Sequence, residues 1–112
     1  MSLKIVYLDD EPDLCVIFRD IFSSEEVIIE TYTESLKAIQ GIKMDPPDLI
    51  FLDYRLPNIT GDEVAMMLDK DIPKVLITGD INIKTDYSFL RIISKPFKID
   101  EINELISSLV KQ

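Results

Sequence analysis

The chain has 112 residues, of which 21 are acidic and 12 basic, for a net charge of −9, and 46% are hydrophobic. That is one domain's worth of chain, with enough apolar residues to offset the entropy of ordering it. The acidic balance argues against direct nucleic-acid binding, apolar runs of about five residues cannot span a bilayer, and one cysteine with no histidine excludes an internal disulfide, a zinc cluster and histidine acid–base catalysis.

Met1-Ser2-Leu3-Lys4 leads straight into a strand-like run, so no signal peptide is expected, and the composition suits a reducing cytoplasm. Short β-branched runs occur at Leu3–Leu8, Val27–Thr31, Leu49–Leu52, Lys74–Ile77 and Arg91–Ser94, with helical spacing between them. The first helix shows Leu14, Ile17, Phe18 and Ile21 on one face, with Pro12 and Asp13 suited to its first turn. Cys15 falls on this helix and reads as a small apolar packing residue. A second helix is expected from Thr33 or Glu34 to Gly41, with the glycine as its stop. A third runs from Gly61 to Asp69, burying Val64, Met67 and Leu68. The fourth crossover, Thr78–Leu90, is only 13 residues long, near the minimum for joining parallel strands, so its helix must be short or partly irregular. The last helix turns Ile102, Leu105, Ile106 and Leu109 inward. Strands alternating with helices define an α/β fold around a parallel sheet, and Ile5–Leu8 and Leu49–Leu52, apolar throughout, suit burial on both faces.

In such folds ligands bind beyond the carboxyl ends of the strands. Strand one ends in Asp9-Asp10-Glu11, strand three in Asp53, strand four in Thr78-Gly79 and strand five in Lys95-Pro96. If strands one and three are neighbours, three carboxylates crowd together, and like charges so placed raise one another's pKa or recruit a cation. Mg²⁺ suits an all-oxygen set that also meets phosphate, whereas the twelve-residue loop that typifies Ca²⁺ is absent. A carboxylate can also be the nucleophile in phosphoryl transfer, with Lys95 and the Thr78 hydroxyl offsetting charge on the transferred group. Each residue has a plainer explanation: helix capping for Asp9 and Asp10, a solvated lysine for Lys95, a helix N-cap for Thr78. Their conjunction at successive strand ends argues for chemistry.

Four pieces, Val6-Tyr7-Leu8-Asp9-Asp10-Glu11-Pro12, Asp53-Tyr54-Arg55-Leu56-Pro57-Asn58-Ile59-Thr60-Gly61, Ile77-Thr78-Gly79 and Ser94-Lys95-Pro96-Phe97, together resemble the receiver domain of bacterial two-component response regulators. The resemblance spans essentially the whole chain as a single receiver domain. It implies a flavodoxin-like (βα)5 doubly wound sheet of order 2-1-3-4-5, here with a short fourth helix. It implies Asp53 as phosphoacceptor, Thr78 as a switch hydroxyl and Lys95 as a phosphoryl ligand, with a cis Lys95–Pro96 bond. It implies Mg²⁺ held by Asp10, Asp53 and the backbone carbonyl of Arg55, with Asp9 on a metal-bound water. The implied partners are a sensor histidine kinase or histidine phosphotransfer protein as donor and a downstream protein, with self-association through the face of the fourth helix, fifth strand and fifth helix.

The chain departs from the family where an aromatic residue often precedes the lysine by three positions, since Ile92 stands there. Tyr87 and Phe89 are candidate substitutes, against a plain packing role. A second reading is therefore a receiver that binds partners without phosphorylation. A Mg²⁺-dependent phosphatase is disfavoured because Arg55 occupies the place of its second carboxylate, and a flavodoxin-like cofactor binder because Asp9-Asp10-Glu11 has the wrong charge for a phosphate loop. Arg55 and Asp80, each two residues beyond a site residue, are expected to pair across the pocket mouth if both flank it.

Overall fold

The computed structural model describes residues 2–80 and 82–110. Five strands, β1 (Leu3–Leu8), β2 (Val27–Tyr32), β3 (Leu49–Asp53), β6 (Lys74–Thr78) and β7 (Arg91–Ser94), form a parallel sheet of order β2-β1-β3-β6-β7. Counting these strands alone, that is the expected 2-1-3-4-5. A two-stranded hairpin, β4 (Arg55–Leu56) and β5 (Ile59–Thr60), follows the third strand and was not foreseen. Its tight turn places Asn58 at φ 66°, a conformation Asn tolerates better than most residues.

The register aligns the strand ends. Ile5 pairs with Leu49 and Leu8 with Leu52, Asp53 lies opposite Ile77, and Thr78 lies opposite Ser94. The chain turns one way from β1 to β2 and the other way from β1 to β3, so the switch point falls beside Asp9 and Asp53. Alternate side chains feed two apolar clusters. Ile5, Tyr7, Phe51, Ile77 and Ile93 meet α1 (Pro12–Phe22) and α4 (Ile99–Val110) on one face. Val6, Leu8, Ile50, Leu52 and Leu76 meet α2 (Ser35–Met44) and α3 (Gly61–Met66) on the other.

Several elements differ from expectation in phase or length. On α1 the buried line is Cys15, Phe18 and Phe22, while Ile17 and Ile21 are exposed. The aromatic residues decide the phase: Phe18 stacks on Tyr7 with ring centroids 4.2 Å apart and packs on Phe51 and Phe97, and large rings contribute most of the burial. Gly41 does not end α2, which continues to Met44. It is a close-approach residue, because a Cβ there would collide with the Tyr32 ring and hydroxyl. Helix α3 stops at Met66 and exposes Met67, burying Val64, Ala65 and Leu68. Its N-terminus is a capping box of Thr60 and Glu63.

The short fourth helix is not formed: among the described residues nothing between β6 and β7 is helical. The face expected for self-association therefore lacks the helix on which that expectation rested. The physical reason lies at Lys74, which is 1% exposed at the start of β6. Its ammonium donates to the carbonyls of Asp69 (2.6 Å) and Ile72 (2.9 Å) and to the Tyr87 hydroxyl (2.7 Å). Three hydrogens thus have three acceptors, as a buried ammonium requires. Holding Tyr87 there, with the Leu90 N–H on the Lys74 carbonyl at 2.8 Å, draws the connection back along β6. Tyr87, Phe89 and Ile83 pack against the second apolar cluster in the helix's place.

Replacing Lys74 by Met leaves those three acceptors without a donor. Urea unfolding of Lys74→Met is expected to show a loss of about 2 kcal/mol, and of Tyr87→Phe about 1 kcal/mol. A stabilised Lys74→Met would instead mean that desolvation of the ammonium outweighs its hydrogen bonds.

Candidate functional site

Asp9 follows β1 and is 0% exposed. Its Oδ2 accepts from the Tyr7 hydroxyl at 2.9 Å and from Lys95 Nζ at 3.1 Å, and its Oδ1 from the Glu11 N–H at 3.0 Å. Asp53 ends β3 and is 6% exposed. Its Oδ1 lies 3.1 Å from the same Lys95 Nζ. One ammonium therefore bridges two buried carboxylates. Asp10 is exposed beside them, and Asp9, Asp10 and Asp53 each present a carboxylate oxygen, all within 4.8 Å of one another. Thr78 is buried at the end of β6, and its Oγ1 accepts the Asp80 N–H at 3.0 Å. Lys95 sits just beyond β7, ahead of a cis bond to Pro96 as expected.

Three carboxylates face one ammonium, so the cluster carries an excess of two negative charges. Burial pushes the Asp53 carboxyl up to about 6, and the neighbouring Asp9 adds to this; Lys95 pulls it back, while Asp10 raises it further. Burial pulls the Lys95 ammonium down, but Asp53 and Asp9 outweigh it and its pKa is raised. The donor set is all oxygen, two of the carboxylates are fixed and the third is open to solvent. That fits a hard divalent cation that keeps part of its water shell.

The Arg55 side chain donates to Asp80, with Nε at 2.7 Å and Nη2 at 3.3 Å from the two carboxylate oxygens. The pairing expected from the sequence is present. Tyr87 is not available as an inward-swinging aromatic. It is held at the Lys74 end of β6, four residues from Thr78, or about 13 Å along a strand. Ile92 is half exposed on the edge strand.

Three supporting groups escaped the sequence reading. Tyr7 orients Asp9 from within the Ile5–Leu8 run, where its hydroxyl is the one polar side-chain atom, and this was the available signal. Cys15 packs beneath the site, its Sγ donating to the Asp9 carbonyl at 3.3 Å. Gly61 begins α3 with its N–H on the Tyr54 carbonyl at 2.8 Å. A Cβ at Gly61 would strike the Asp53 carbonyl and Leu76, so the backbone of Asp53 is seated against a glycine.

A family model for the response regulator receiver domain matches residues 5–107, and the chain belongs to that family. It is 25% identical over 114 residues to sporulation initiation phosphotransferase F of Bacillus subtilis, covering 95% of this chain and 92% of that protein. It is 30% identical to the nitrogen assimilation regulatory protein NtrX of Azorhizobium caulinodans, covering 91% of this chain but only 25% of that one. Among solved structures, a CheY-like receiver domain protein from Methanospirillum hungatei superposes with a TM-score of 0.88 at 19% identity, covering 99% of this chain and 95% of that one. The receiver domain of a sensor histidine kinase from Pseudomonas aeruginosa superposes at 0.84 and 16% identity over 100% of both chains. The chain is thus a two-component receiver domain by family and by fold. Among the described residues no helix is long and apolar enough to cross a membrane.

The raised Asp53 pKa has a consequence for stability. Between about pH 4 and 6 the folded protein holds a proton that the unfolded chain has released, so this contribution to stability falls as pH rises through that window. Asp53→Asn, neutral throughout, is therefore expected to exceed wild type by about 1–3 kcal/mol at pH 7.5 in EDTA, with the difference gone by about pH 4. Thermal unfolding of both proteins across this range checks it; a pH-independent difference would contradict the assignment.

Proposed function

We propose that Asp53 accepts a phosphoryl group from a phosphohistidine on a partner kinase or phosphotransfer protein, and that the modified domain changes its affinity for a downstream protein. The observation that carries this reading is the single Lys95 ammonium 3.1 Å from both Asp9 and Asp53, with the Thr78 hydroxyl at the end of the adjacent strand. An Asp53 carboxylate oxygen attacks phosphorus, the P–N bond of the donor breaks, and the electron pair leaves with the imidazole. Lys95 meets charge on a phosphoryl oxygen as a point cation, and the Thr78 hydroxyl donates to another. Asp9, held by Tyr7 and the Glu11 N–H, keeps Lys95 in place.

The residues that would hold Mg²⁺ are Asp10, Asp53 and the Arg55 backbone carbonyl, with Asp9 on a metal-bound water, and the ion when bound supplies positive charge against the phosphoryl oxygens. The Pseudomonas aeruginosa receiver domain carries a magnesium ion coordinated in its active site cleft. The excess of two negative charges here, and the raised Asp53 pKa it contributes to, support the same use of this cluster. No observation favours the alternative of a receiver without phosphorylation, since acceptor, cation and hydroxyl are assembled together.

Intact-mass spectrometry after incubation with acetyl phosphate and Mg²⁺ is expected to show a gain of one phosphoryl group. The gain is expected to vanish in Asp53→Ala and without Mg²⁺, and its rate to fall about tenfold or more in Lys95→Ala. Wild-type protein that stays unmodified would overturn the proposal.

A further inference from the structure

Strand β7 closes the sheet at one end, and only β6 pairs with it. In a parallel ladder alternate residues address each neighbour. Half of the β7 backbone N–H and C=O groups therefore point outward with no strand to meet them. Proteins commonly cover such an edge with a helix or loop. Here the crossover that precedes β7 forms no helix among the described residues, and its contacts with Lys74 draw it back along β6. Leu90 and Ile92 are left 51% and 49% exposed. Ile92 lies opposite Leu76, and alternation puts Leu90 on the same face of the strand. The charge here is the reverse of the chain's. Residues 87–99 include Arg91, Lys95 and Lys98, and the rest of the chain holds all 21 acidic residues. Lys95 is committed to Asp9 and Asp53. Arg91 and Lys98 are exposed and make no ion pair among the described residues. The opposite edge of the sheet is acidic, with Glu25 and Glu26 ahead of β2 and Glu30 within it.

We propose that the outer edge of β7 accepts an extended acidic segment of a partner protein as a sixth strand. Main-chain hydrogen bonds to the open edge hold the segment. Its side chains alternate between faces, so apolar residues at every second position cover Leu90 and Ile92, and carboxylates at the intervening positions fall on the face of Arg91. A helical segment would cover Leu90 and Ile92 but leave the edge N–H and C=O groups unmet. A second copy suits the edge less well. Each copy carries a net charge of −9, and joining the β2 edge of one to the β7 edge of the next is a head-to-tail contact that adds copies without closing. The edge is open with Asp53 unmodified, so the inference stands apart from the phosphoacceptor reading.

The test selects random twelve-residue peptides on the immobilised domain, with Arg91→Glu as the counter-selection. Selected peptides are expected to be net acidic, with apolar residues at every second position. They are expected to bind Arg91→Glu about tenfold or more weakly, and to weaken as NaCl is raised to about 1 M. The tightest peptide is then made with one alternate set of backbone nitrogens methylated, and separately with the other set. In an added strand one set faces β7 and the other faces solvent. The first is expected to lose about tenfold or more in affinity, the second less than about threefold. Equal loss from both sets, as for a bound helix, or loss from neither, as for side-chain contacts alone, would overturn the added strand. A selection that yields no acidic peptide would overturn it too. So would sedimentation in which the free domain self-associates through a contact that Arg91→Glu abolishes, since a second copy would then fill the edge. The methylated peptides are measured on the unaltered domain, so they decide the matter even if Arg91→Glu fails to fold.

Discussion

Three carboxylates meet at one edge of a buried parallel sheet, and most of what surrounds them serves to make that arrangement tolerable. Like charges in a partly desolvated site repel strongly. Lys95 offsets one of them by standing 3.1 Å from both Asp9 and Asp53. The Tyr7 hydroxyl and the Glu11 N–H saturate Asp9, so its ionised form is held by donors as well as by a cation. Asp53 receives no such donors among the described residues, and burial holds its carboxyl above the usual carboxylate range. Burial without hydrogen-bond donors beyond Lys95 is thereby concentrated on Asp53.

That concentration depends on the core. Asp9 and Asp53 are neighbours because β1 and β3 pair in register, and the paired runs Ile5–Leu8 and Leu49–Leu52 are apolar and buried on both faces. Phe18, stacked on Tyr7 and tilted against Phe51, fixes α1 over these strands and so fixes the depth of the Tyr7 hydroxyl. On the other side the missing side chain of Gly61 lets α3 start directly against the Asp53 backbone. Among the described residues Asp9 and Asp53 are thus buried against the core, while Asp10 is exposed.

Strand positions were legible in the sequence because each rests on a β-branched run, and the gathering of Asp9, Asp53, Thr78 and Lys95 at strand ends because polar residues stand where those runs stop; the sheet order followed only from the resemblance to the receiver family. What escaped was information that only packing supplies. Seven of the nine residues from Leu14 to Phe22 are apolar, so more than one helical stripe fits, and tertiary contacts of Phe18 choose between them. Gly41 can equally end a helix or admit a ring, and only the position of Tyr32 decides. Lys74 reads as the polar start of a strand. Its acceptors come from residues 69, 72 and 87, which no sequence window brings together.

The absent helix bears on how a change at the site can reach the surface. Tyr87 is held at the far end of β6 by a buried ammonium with all three hydrogens used, so that end of the connection is costly to move. At the near end the connection meets the site through the Asp80 N–H on Thr78 and the exposed bond of Asp80 to Arg55. Exposed ion pairs are worth about 0–1 kcal/mol, well below the bonds that hold Lys74. The end of the connection that carries Tyr87 is thus the more firmly tied, and the end at Asp80, beside Thr78, the less.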